Sequence, residues 1–114
     1  MHQGFCQVGL PADRGHSLAL EMLKSLGYSV TLYGSEKRRL FGTRHVLKRN
    51  SYVAVHIYVE SLSLSQTRLR FDMMASEDLA PTIPNVLPHF ISHFQAGVES
   101  LAHSCSPGAG KSLA

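Results

Sequence analysis

At 114 residues, with 44% hydrophobic and 17% charged side chains, the chain has the composition of one globular domain, too apolar for intrinsic disorder and too short for two cores. No stretch approaches the roughly 18 apolar residues that span a bilayer, and the start carries no basic residue ahead of an apolar run, which points to the cytosol or nucleus. The formal charge is only +3, but eight of the eleven basic residues fall between positions 37 and 70, so the charge is unevenly placed.

Met1 to Ala12 has no sustained periodicity, and Gly4, Gly9 and Pro11 read as a connector or an edge segment. From Asp13 the pattern becomes helical. Leu18, Ala19, Met22, Leu23 and Leu26 recur on one stripe, Asp13 or Ser17 is placed to cap the start, and Gly27 suits the left-handed residue that ends a helix.

Four strands are expected next. Tyr28, Val30 and Leu32 alternate with Ser29, Thr31 and Tyr33, and a turn follows at Gly34 to Glu36. Arg39 to Leu47 reads as a strand in which Gly42 marks a bulge or a close backbone approach. Val53, Val55, Ile57 and Val59 alternate with Ala54, His56 and Tyr58, the strongest strand signal in the chain, which predicts a central position. Beyond the turn at Ser61 to Gln66, Leu69, Phe71 and Met73 alternate with Arg68, Arg70 and Asp72. Consecutive strands of this kind form an antiparallel meander.

Pro81, Pro84 and Pro88 place the start of a second helix near Asn85 to Pro88. Its apolar stripe is Leu87, Phe90, Ile91, Phe94, Val98 and Leu101. The Ser, Gly, Pro and Ala tail from Ser104 buries too little to stay ordered. The predicted organisation is a segment over 1–12, one α+β domain over 13–103 and a flexible tail over 104–114. The fold class is an antiparallel sheet of three to four strands with a helix before and a helix after. Its predicted core includes Val53, Val55, Ile57, Leu69, Phe71, Phe90, Ile91 and Phe94.

Motifs for catalysis or metal binding do not hold up. Cys6 and Cys105 sit near opposite ends with no CxxC pair, so they read as free thiols and not as a zinc site or disulfide framework. Pro107 to Ser112 mimics part of a phosphate-binding loop, but that motif needs a glycine where Cys105 stands and a helix afterwards. His89 and His93 have the four-residue spacing of a zinc pair, with Phe90 where a protease carries its glutamate. Both project away from the apolar stripe and read as solvated. His56 has no nucleophile tied to it by a local motif. The expectation is a domain without catalytic activity, cofactor or metal.

What remains is surface. Lys37, Arg38, Arg39, Arg44, Lys48 and Arg49 form a basic patch in sequence, and Arg68 and Arg70 share one face of their strand. Such groups suit the phosphates of nucleic acid or lipid, or acidic peptide motifs, and the simpler reading of them is a solubilising basic face. Because side chains alternate, Tyr52, His56, Tyr58, Arg68 and Arg70 must look away from the helices, and aromatics with arginine are what interfaces favour.

The strand Tyr52 to Val59, the strand Thr67 to Met74 and the helix to Gln95, with an aromatic just before a β-branched strand, resemble a known unit. It is the C-terminal platform subdomain of clathrin-adaptor and coatomer appendages, matched over residues 40–96. The resemblance implies a protein-interaction module for protein transport, the terminal domain of a subunit in a larger assembly. Platforms bind short peptides or neighbouring subunits at an aromatic-lined pocket, where Tyr52 would stand. The chain contains no Trp, so docking onto another subunit is the use this resemblance implies. The alternative from the residues is a basic nucleic-acid-binding module.

Overall fold

A computed structural model describes residues 2–35, 38–46 and 50–104. In chain order the elements are β1 (His2–Val8), α1 (Ala12–Ser25), β2 (Ser29–Tyr33), β3 (Arg39–Val46), β4 (Ser51–Ser63) and β5 (Gln66–Ala75). A 3₁₀ turn (Ala80–Thr82) then leads into α2 (Ile83–Ser104). The class is α+β, with one five-stranded sheet in the order β1-β5-β4-β3-β2 and every neighbouring pair antiparallel.

The sheet therefore has one strand more than the three to four expected, and the addition is β1. It pairs with β5 so that Cys6 and Val8 join the core. The meander β2 to β5 is as expected, and β4 is the central strand.

Helix α1 starts after Pro11 with no side chain capping it, so neither Asp13 nor Ser17 serves as the expected cap. It ends at Ser25, and just beyond it Gly27, with a φ of +89°, takes the left-handed conformation that glycine adopts without steric cost. Gly42 sits in regular register with Val30 and Val55. A Cβ there would lie 2.9 Å from Leu23 Cδ2, so the glycine marks the close approach of α1 and not a bulge. Helix α2 begins at Ile83, earlier than the prolines suggested, and contains Pro88. Pro84 and Pro88 are both exposed, so the helix bond that Pro88 forfeits lies where water can replace it.

Both helices lie on one face of the sheet. Leu32, Leu40, Ile57, Phe71 and Gly4 form one row across all five strands, and the Gly4 position opens onto Ile91 of α2. The core between layers holds Leu23, Leu40, Val55, Ile57, Leu69, Phe71, Met73, Phe94 and Val98. Of the predicted core, Val53, Phe90 and Ile91 are only partly buried and pack at its edge. The Phe71, Phe90 and Phe94 rings meet edge-to-face or tilted with centroids 5.3 to 6.0 Å apart, the geometry aromatic pairs prefer. Arg14 Nη2 donates to the Ala102 carbonyl at 3.0 Å, and Gln95 Nε2 donates to the Gln7 carbonyl at 2.8 Å. These two bonds fasten α2 to α1 and to β1.

Candidate interaction face

With the helices on one side, alternation sends the other set of side chains to the opposite face. The register builds a row there that the linear sequence conceals. Tyr33, Arg39, Tyr58, Arg70 and Phe5 are successive cross-strand partners on β2, β3, β4, β5 and β1. Aromatic and arginine side chains thus alternate across the full width of the sheet. The Arg70 guanidinium carbon lies 4.2 Å from the Tyr58 ring centroid and that of Arg39 lies 5.2 Å from it, both in the range of cation–π attraction. At the β1 edge Arg68 lies over the ring of Phe5, which is 60% exposed.

The next row is Thr31, Phe41, His56, Asp72 and Gln3. His56 is its centre. Its ring packs against Phe41 at 4.5 Å and stacks on Tyr58 at 6.4 Å. The Tyr33 hydroxyl lies 2.6 Å from His56 Nδ1. Burial raises the Tyr33 hydroxyl above the usual tyrosine range, with the neighbouring Tyr58 adding to the effect. The hydroxyl and Nδ1 share one hydrogen bond, whose donor depends on which ring nitrogen carries the imidazole proton. Asp72 is buried, and its Oδ1 has no hydrogen-bond partner; Arg70 Nε is likewise buried and without a hydrogen bond, 4.0 Å from Glu60 Oε1.

Four of the five predicted partner residues, His56, Tyr58, Arg68 and Arg70, stand together. Tyr52 is on the same face but six residues along β4 from Tyr58, about 20 Å at the strand rise. It lies at the opposite end, where its backbone N–H donates to Ser76 Oγ at 3.0 Å. The basic patch is divided by the fold. Arg38 and Arg39 line a cleft of about 280 Å³ with Tyr58, Glu60 and Arg70, whereas Arg44 lines a different one with Tyr28, His45 and Val53. Lys37, Lys48 and Arg49 lie outside the described residues, as do Cys105 and the Pro107 to Ser112 stretch.

Elsewhere the chemistry is sparse. Burial, helped by Glu99, pushes the Cys6 thiol up to about 11, which keeps it protonated and a poor nucleophile. His89 and His93 are exposed on α2. Among the described residues no group of three or more His, Cys, Asp or Glu side chains is placed to hold a metal ion, and no helix is long and apolar enough to cross a membrane.

Comparison with known proteins decides nothing further. No family model matches the chain, and no curated protein matches it in sequence.

Sequence reasoning missed Phe41 and Phe5 as members of this face, and it assigned Arg39 only to a general basic patch. Strand parity could have placed Phe41 on the outward side. Phe5 had no signal, because β1 itself was not recognised as a strand.

Proposed function

We propose that this domain is a non-enzymatic protein-interaction module that docks a partner protein on the helix-free face of its sheet. The observation that carries the reading is the row Tyr33, Arg39, Tyr58, Arg70 and Phe5. It places the side chains that most often dominate interface energy side by side on a rigid sheet, next to the His56 cluster. The likeness to an appendage platform rests on the order β4, β5 and α2. In that reading the chain is the terminal domain of a subunit in a larger assembly, and the partner is another subunit or a short peptide motif.

A basic nucleic-acid-binding module is the second reading, favoured by the arginines of the face. Against it, Arg68 is neutralised by Glu60 at 3.0 Å, and Arg44 lies apart from the others. The experiment is capture of partners by the intact chain and by a Tyr58→Ala, Arg70→Ala double variant that still folds. Loss of capture supports the reading and unchanged capture refutes it. Nucleic-acid binding would instead weaken by about 0.9 log units per log unit of salt for each B-DNA phosphate neutralised.

A further inference from the structure

The cleft beside Tyr58 carries positive charge that its own carboxylates do not neutralise. Arg38, on one wall, is paired with Asp13. Glu60, on another, lies 3.0 Å from Arg68 Nε but 4.0 Å from Arg70 Nε, so its main partner is Arg68. Arg39 has no carboxylate partner among the described residues and rests over the Tyr58 ring. Arg70 rests over the same ring, makes no hydrogen bond through its buried Nε, and keeps 41% of its side chain exposed. Tyr58 thus holds both guanidiniums in place without taking up their hydrogen-bonding capacity, which is the preorganised and uncommitted state a ligand anion requires.

We propose that this cleft receives the carboxylate of an acidic side chain, Asp or Glu, from the partner protein, an inference that rests on the helix-free face being the docking surface. Arginine forks match a carboxylate bidentately, and the second guanidinium across Tyr58 adds charge from the other side. The Glu60 carboxylate also lines the cleft and selects against a dianion. A singly charged carboxylate meets less repulsion there than a phosphate of nearly two charges. Ser35 at the rim supplies one more hydroxyl donor.

The test uses blocked tetraglutamate as the probe, with blocked tetraglutamine and a phosphoserine tetrapeptide as comparison arms. Binding is followed by the arginine Nε–H and Tyr58 ring resonances of the intact chain. The expected result is saturable shifts at Arg39, Arg70 and Tyr58 with tetraglutamate, affinity at least tenfold above tetraglutamine and above the phosphopeptide, and a tenfold loss in Arg39→Gln and Arg70→Gln. Each variant is first shown to keep the native dispersion of the other resonances, and Arg39→Lys, which keeps charge but not the fork, serves as a further folded variant with intermediate affinity. Absence of saturable shifts, equal binding of tetraglutamine, or tighter binding of the phosphopeptide overturns the proposal. If partner capture is lost in Tyr58→Ala, Arg70→Ala but unaffected by Arg39→Gln and Arg70→Gln, the docking surface stands and the carboxylate assignment falls.

Discussion

The Tyr33 hydroxyl lies 2.6 Å from His56 Nδ1, a hydrogen bond that reaches from edge strand β2 over β3 to the central strand β4. It ties the last ring of the aromatic and arginine row to the middle of the sheet. Tyr33→Phe should cost about 1 kcal/mol of stability, the usual worth of one such bond. It should also change the balance of His56 tautomers, read from the imidazole nitrogen shifts, because Nδ1 loses its partner. An unchanged tautomer in the variant would show that something else orients the ring.

The three-phenylalanine contact predicts a graded response. Phe94 is fully buried against Phe71, and Phe90 only partly so. Phe94→Ala should cost about 3–5 kcal/mol in urea unfolding, the range for a buried phenylalanine. Phe90→Ala should cost clearly less. Equal losses would contradict the burial difference.

Gly42 offers a test of close packing. A Cβ there meets Leu23 Cδ2 at 2.9 Å and Tyr28 Cβ at 3.2 Å, so Gly42→Ala should destabilise by about 1–3 kcal/mol, as overpacked cores do. Shortening the other partner should relieve part of that cost. The double variant Gly42→Ala, Leu23→Val should therefore lose less than the sum of the two single changes.

How much of this was legible in the residues follows from where side-chain periodicity is strong. The helix-facing stripes of α1, β4, β5 and α2 could be read because each carries large apolar groups at the right period. Strand β1 could not be. Its core-facing positions are Gly4, Cys6 and Val8, the first kept small where Ile91 fills the space, while its largest residue, Phe5, faces out. The outward direction of His56, Tyr58, Arg68 and Arg70 followed from alternation alone. Their assembly with Tyr33, Phe41 and Arg39 did not, because register between distant strands is set by the whole sheet and not by any one segment. Tyr52 illustrates the same limit: its side of the sheet was readable, its distance from the cluster was not.

Cys6 gives a pH dependence. Its folded value of about 11 lies above the ordinary thiol value of 9.0, so the folded state favours the neutral thiol. Its contribution is fully present below about pH 9 and falls as pH rises through the folded value, because the unfolded chain then releases its proton first. In a Cys105→Ser background, Cys6 should react slowly with a thiol reagent at pH 8, and Cys6→Ala should flatten the loss of stability between pH 9 and 11. Rapid labelling of the folded protein would contradict the burial of this thiol.

Docking on the helix-free face is tested most directly by a hydroxyl-radical footprint of the side chains in the partner complex against the free domain. Protection is predicted at Tyr33, Phe41, His56, Tyr58 and Phe5, with no change at Val86, His89 and His93 on the exposed side of α2. Protection of that α2 surface, with Tyr58 and Phe5 labelled as fast as in the free domain, would contradict docking on the helix-free face of the sheet.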